Sequence, residues 1–299
     1  MGRQPRFSAR IVPACVAMPE PIRSANRISL STAPAVQALG KKYYDLSGTL
    51  ELMDRLRAAS VVDGFEFQIL EEWDAAHPPR EQAEYRLSAW NDSPKYPLEQ
   101  IVALLREGTY PVLSLHAYRD IGIYLCSDQE ADIHRGKALL HQSLSLAQEI
   151  GAQVCVFHLW DTWKTNLNPI WLYDVLLATA SCYPSVKAAV ENVPTQLPGS
   201  TPFQLVRQFP WITLDLQWAA MYDELAQFES LKDRIVNVHL RGRLADGRWV
   251  LQDAPFDFYG ALDIIRNQWG YTGPLTMEPS GLRQGDWHNL VAAMLSLRR

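Results

Sequence analysis

Apolar and polar positions along this chain follow two alternating periods. Short runs that are continuously apolar or alternate every second residue occur at RISLS (27–31), VDGFEFQI (62–69), YPVLSLH (110–116), QVCVFH (153–158), VKAAVE (186–191), WITLDL (211–216), IVNVHL (235–240) and PLTMEP (274–279). Between them, apolar residues recur three and four apart in LELMDRLRAA, PLEQIVALLREG, HRGKALLHQSLSLAQEIGA, WLYDVLLATASC, PFQLVRQF, FDFYGALDIIRNQWG and WHNLVAAMLSLRR. The first period is that of a strand and the second that of an amphipathic helix. Their alternation predicts parallel strands joined by crossover helices, and eight such strands predict a (β/α)8 TIM barrel over residues 27–299. Residues 1–26 precede the first strand as a short N-terminal extension with no visible chemistry.

Composition narrows the function classes. With 47% apolar and 20% charged residues the 299-residue chain can bury an ordinary core, and no window of about 20 uncharged apolar residues could span a bilayer. A formal charge of −5 disfavours broad attraction to nucleic acid or an anionic membrane. Four scattered cysteines without CxxC spacing fit a reducing compartment and free thiols, and the basic N-terminus lacks a secretory apolar core, so a cytoplasmic protein is expected. Nothing in the sequence requires a homo-oligomer or forbids one.

Four of the strands end on side chains suited to a metal: KAAVENV on Glu191, WITLDL on Asp215, IVNVHL on His239 and PLTMEP on Glu278. A lone glutamate at a strand end is usually a capped or salt-bridged surface group, and Asp215 alone would serve as the N-cap of the following helix. Four such residues on successive strands point instead to one rim of the barrel and a divalent-metal site. His116 and His158 end the third and fourth strands and face the same mouth. The loops expected above it, 33–47, 70–96 and 241–256, carry Tyr43, Tyr44, Trp73, Trp90 and Trp249, which suit a lid over a polyhydroxylated ligand; the alternative is that these aromatics fill gaps between the barrel helices.

Taken in order, GFEF, LSLHA, GAQVCVFH, VENVP, TLDLQW, NVHLRG and GYTGPLTMEP resemble the landmarks of the xylose isomerase-like barrel superfamily. That superfamily holds sugar and sugar-phosphate isomerases and epimerases, inosose dehydratases and the apurinic endonucleases. The resemblance implies that Glu191, Asp215, His239 and Glu278 hold a divalent metal. Three carboxylates and an imidazole suit Mn²⁺, Mg²⁺ or Co²⁺, with Zn²⁺ also allowed. It further implies that Glu191 and Glu278 act as the two proton-transfer bases on a small polyhydroxylated carbonyl substrate, through a cis-enediolate. His116, His158, Glu66, Trp218, Arg241 and Arg283 are the candidate substrate contacts. Glu66 could equally pair with an arginine inside the barrel, and the arginines, Arg243 among them, could equally be solvated loop residues.

The departures from the family pattern are informative. Where the family commonly has a histidine three residues after the strand-six aspartate, this chain has Trp218, which cannot ligate a metal. The segment VLQDAPFDF after strand seven holds no histidine either, so a trinuclear nuclease site is not expected. A metal-dependent isomerase or epimerase is the leading expectation. The alternatives are a dehydratase on the same site, a two-zinc phosphodiesterase that adds His116 and His158, and a non-catalytic sugar-binding homologue.

Overall fold

The structure is a computed structural model that describes residues 26–79, 84–245, 248–250 and 257–298. Its centre is a closed barrel of eight parallel strands: β1 (Ile28–Ser31), β2 (Gly64–Gln68), β3 (Val112–His116), β4 (Val154–Phe157), β5 (Lys187–Glu191), β6 (Ile212–Asp215), β7 (Ile235–Ala245) and β9 (Leu275–Ser280). Each strand pairs with the next, β7 pairs with β9, and β9 pairs back onto β1. The remaining strand, β8 (Arg248–Val250), folds back antiparallel on the end of β7.

The period-two pattern assigns the two faces. Leu30, Phe65, Phe67, Leu115, Phe157, Val190, Leu214, Val238, Leu240 and Met277 point outward into the main apolar core beneath the helices. Removing each such side chain from water contributes about 1.5–3 kcal/mol. The inward positions alternate with these and are mostly polar: Ser29, Ser31, Glu66, Ser114, Thr213, Asn237 and Thr276 are all fully buried. Val154, Val156 and Ala189 form a small separate apolar plug inside the barrel. An inward register shifted by one residue would bury the functional side chains under the helices, so this alternation is what carries them to the mouth.

The crossover helices start and stop where local chemistry directs. Asp45 caps Leu46–Ala58 by accepting from the Gly48 amide, Asn168 caps Pro169–Ala180 by accepting from the Trp171 amide, and Thr201 with Gln204 forms a capping box on Pro202–Val206. Gly122, in the short helix Ile121–Leu125, lies so close to Trp160 that a Cβ there would sit 2.5 Å from the Trp160 carbonyl oxygen. Among the described residues no helix is long and apolar enough to cross a membrane, and Cys126, Cys155 and Cys182 are free thiols.

The expected mouth loops carry more structure than their composition suggests. Residues 70–96 contain the turn Glu71–Trp73 and the helix Glu84–Asp92, whose buried residues are Arg86 and Ala89 rather than an apolar stripe. Strand β7 runs on to Ala245, inside the span expected as loop 241–256. Trp73 is buried in the core with its indole donating to the Tyr44 carbonyl at 2.7 Å, and the Trp90 indole donates to the Asp74 carbonyl at 2.8 Å. Both therefore fill the scaffold instead of covering a ligand. The expectations for residues 1–25 and for the side chain of Trp249 lie outside the described residues.

Candidate metal and substrate site

Register sets the heights of the functional side chains. Asp215 stands beside His239 across β6 and β7, Arg241 beside Glu278 across β7 and β9, and Gln68 beside His116 across β2 and β3. Asn192, next to Glu191, clamps the end of β6: its side chain accepts from the Asp215 amide at 2.6 Å and donates to the Asp215 carbonyl at 3.1 Å. Rigid strand ends thus deliver Glu191, Asp215, His239 and Glu278 to the same rim.

These residues converge. Glu191, Asp215 and His239 form one group whose potential ligand atoms all lie within 4.8 Å of one another; Glu66, His239 and Glu278 form a second, and His116, His158 and Glu191 a third. His239 is oriented by Glu66. Its Nε2–H donates to Glu66 Oε2 at 3.0 Å, so Nδ1 is the nitrogen that faces Glu191 Oε2 at 3.3 Å and Glu278 Oε1 at 3.5 Å. His116 is arranged the same way: its Nδ1 lies 3.0 Å from its neighbour's carbonyl oxygen, that of Ala117, and its Nε2 faces Glu191 Oε2 at 3.6 Å. His158 Nε2 lies 3.1 Å from the same Glu191 oxygen.

Ring nitrogens set against carboxylate oxygens call for a positive charge between them, supplied by a proton or by a metal ion. Burial works against charging His239, but Glu66, Glu278 and Glu191 outweigh it and hold the imidazole well above its ordinary range. Burial likewise opposes ionisation of Glu191, and His158 and His239 overturn it, placing that carboxyl well below the usual range. Asp215 is pushed up to about 6 by burial, with Arg241 opposing and the Glu191 and Glu278 charges adding to the rise. The residues present fit a divalent metal: Glu191 Oε1 and His239 Nδ1 are buried without a hydrogen-bond partner, and both belong to the converging set.

Arg241 enters this set from the cavity side. Its Nε donates to Asp215 Oδ2 at 2.8 Å, and its Nη2 lies 2.5 Å from Glu278 Oε2 and 3.5 Å from Glu191 Oε1. Its guanidinium stacks 5.3 Å from the centre of the Trp218 ring. Asp215 also caps the helix Leu216–Met221, its Oδ1 accepting from the Trp218 amide at 3.0 Å. The helix cap and the Arg241 contact therefore use different oxygens of the Asp215 carboxylate.

A cavity of about 290 Å³ opens above the group, lined by His116, His158, Arg241 and Glu278 together with Gln37, Tyr43, Gln68, Tyr85 and Arg119. Three sequence candidates stand elsewhere. Glu66 lies beneath His239 with Oε2 accepting from Ser114, Asn237 and His239, so it supports the site from below and does not line the cavity. Trp218 backs Arg241, and Arg283 is exposed away from the lining. The resemblance makes Glu66 a candidate substrate contact, but the last inward position of β2 is Gln68, two residues on, and it is Gln68 that reaches the mouth. Tyr43, one of the aromatics expected over the mouth, does line the cavity, whereas Arg119 carries no local signal and reaches it only because the fold brings the loops together. Arg119 donates to Glu72 at 2.9 Å, the Tyr43 hydroxyl donates to Glu72 at 2.7 Å, and buried Arg86 ties Glu71 and Asp120 at 2.5 and 2.6 Å. A second crevice, of about 360 Å³ between Trp73, Tyr96, Ile101 and Tyr118, lies away from these convergent groups and is mostly apolar.

No family model matches the chain, and no curated protein matches it. Solved structures do. A D-allulose 3-epimerase from Methylomonas sp. superposes with a TM-score of 0.60 at 15% identity, covering 92% of this chain and 99% of that one. A sugar phosphate isomerase/epimerase from Parabacteroides distasonis gives 0.59 at 12% identity, with 96% and 98% covered. A family 2 AP endonuclease from Brucella melitensis gives 0.55 at 14% identity, with 87% and 95% covered. The chain shares its (β/α)8 fold with these enzymes, and sugar isomerases and epimerases are prominent among its structural neighbours.

Proposed function

We propose that the protein is a divalent-metal-dependent isomerase or epimerase of a small polyhydroxylated carbonyl compound. The observation that carries this is the convergence of Glu191, Asp215 and His239 under an open cavity, with Glu191 Oε1 and His239 Nδ1 buried and lacking a hydrogen-bond partner. A Methylomonas D-allulose 3-epimerase of the same fold has been solved with D-allulose bound, which supports a sugar-sized substrate. Glu191, Asp215, His239 and Glu278 would hold Mn²⁺, Mg²⁺, Co²⁺ or Zn²⁺. When bound, such an ion polarises a carbonyl and acidifies the adjacent C–H.

The protein's own groups then divide the work. Glu278 lines the cavity and would take the proton from the carbon next to the carbonyl, giving an enediolate; Glu191, approached past His116 and His158 and supplied with a proton by His116, would return it from the other side, and Glu278 would then lose its own to solvent. His116 and His158 orient substrate hydroxyls, and Tyr43 and Arg119 close the outer wall. Elimination of water next to the carbonyl would use the same base, so a dehydratase is the neighbouring reading. A two-zinc phosphodiesterase is a separate one, favoured by the His116, His158 and Glu191 group and by the likeness to an AP endonuclease.

Elemental mass spectrometry of the purified protein and of Glu191→Gln, paired with NMR of candidate ketoses in D₂O, tests the proposal. One metal per chain, lost in the variant, with deuterium entering next to the carbonyl, is the expected result. Two zincs and phosphodiester cleavage would favour the hydrolytic reading, and a folded wild type that takes up no metal from Mn²⁺, Co²⁺, Mg²⁺ or Zn²⁺ would refute the proposal.

A further inference from the structure

The geometry points to Arg241 as a resident counter-cation that competes with the divalent metal for the same carboxylates, a role that rests on the metal reading above. Three buried carboxylates, Glu191, Asp215 and Glu278, would repel one another if left bare in the barrel mouth. Arg241 touches all three, and its fork spans Asp215 Oδ2 and Glu278 Oε2 at once.

The competition follows from how the oxygens are used. Asp215 has no idle oxygen: Oδ1 accepts from the Trp218 amide and Oδ2 from Arg241. A metal drawing on Asp215 either takes Oδ2 from Arg241 or shares Oδ1 with the Trp218 amide, and either way its charge is set beside the guanidinium at low dielectric. A guanidinium cannot relieve this by losing its proton. It can move, because its side chain is 27% exposed while its carboxylate partners are nearly or fully buried, and the Trp218 face beside it offers a surface to slide along. Metal entry therefore exchanges one cation for another, and Arg241 shifts toward the cavity as the metal takes Asp215 and Glu278.

The aromatic side chain that follows Asp215 acquires a reason on this view. Trp218 supplies the flat face on which Arg241 stacks, so the two residues act as a pair: one neutralises the metal-free site, and the other keeps the displaced guanidinium close.

The test is Mn²⁺ affinity, measured by competition with a chromogenic chelator, for wild type, Arg241→Gln and Arg241→Lys, with the melting temperature of each metal-free protein. Arg241→Gln should bind Mn²⁺ about 10- to 100-fold more tightly than wild type, melt lower without metal and recover on adding it. Arg241→Lys keeps a cation but cannot bridge Asp215 and Glu278 as a fork, so it should tighten binding by a smaller factor; it decides the matter if the glutamine variant does not fold. Equal or weaker binding by the folded variants, with wild type binding metal, would overturn this role for Arg241 and leave the metal reading intact. Absence of binding by all three folded proteins would overturn both.

Discussion

Replacing Glu66 by glutamine keeps the size of a fully buried side chain and removes one negative charge from behind His239. Glu66 Oε2 accepts from Ser114 at 2.9 Å and from Asn237 and His239 at 3.0 Å each. In the variant the His239 Nε2–H meets a neutral amide. A hydrogen bond to a charged acceptor contributes about 1.5–3 kcal/mol and one to a neutral acceptor about 0.5–1.5 kcal/mol, so roughly 1–1.5 kcal/mol of orientation is lost at that contact alone. The imidazole also becomes a poorer donor to a metal at Nδ1. Removing such a supporting carboxylate typically weakens metal binding about 10- to 100-fold, equivalent to about 1.4–2.7 kcal/mol. Alanine would be a poor substitute, since it leaves three buried donors unpaired at about 1–3 kcal/mol each, against a total stability of about 5–15 kcal/mol. The assay is Mn²⁺ titration against a chromogenic chelator at pH 8, with circular dichroism to confirm folding. A folded Glu66→Gln protein whose affinity stays within about twofold of wild type would refute the orienting role of Glu66.

Two further predictions concern the loop network and pH. Arg86 is buried against Glu71, Glu72 and Asp120, so Arg86→Met should strand those carboxylates and destabilise the fold by about 3–5 kcal/mol; an unchanged urea midpoint would show that the network contributes nothing. Metal binding at His239 Nδ1 requires the neutral imidazole, whose pKa is raised. Apparent affinity should therefore fall by up to about tenfold per pH unit below that raised value, and more steeply below about 6, where Asp215 also takes up a proton. In the metal-free protein the sign reverses for His239: its contribution to stability is fully present below the unfolded pKa of about 6.5 and is lost as pH rises through the higher folded value. Mn²⁺ titrations from pH 5.5 to 8.5 check the first statement, and thermal melts of the chelated protein check the second; a flat affinity profile would contradict the proposed His239 ligation.

The order of strands and helices is legible along the chain because it rests on local periodicity. All eight barrel strands lie where the apolar runs place them, and Glu191, Asp215, His239 and Glu278 attract attention because each sits at the end of such a run. Inward and outward faces follow from the same alternation, since a pleated strand offers no third choice. The helix Glu84–Asp92 escaped this reading because it is tied down by ion pairs through Arg86, and a charged residue in a polar stretch looks the same whether solvated or buried.

The barrel, its strand order and the kinds of side chain at its mouth are written in local sequence, because periodicity and strand ends are properties of neighbouring residues. Which of those side chains meet depends on the folded chain. It put Glu66 beneath His239 rather than in the cavity, set Arg241 among Glu191, Asp215 and Glu278, and drew Tyr43 and Arg119 from separate loops onto Glu72. Those contacts join residues tens to more than a hundred positions apart. Their existence depends on barrel closure and strand register, which fix distance and direction in space and leave no trace in local sequence.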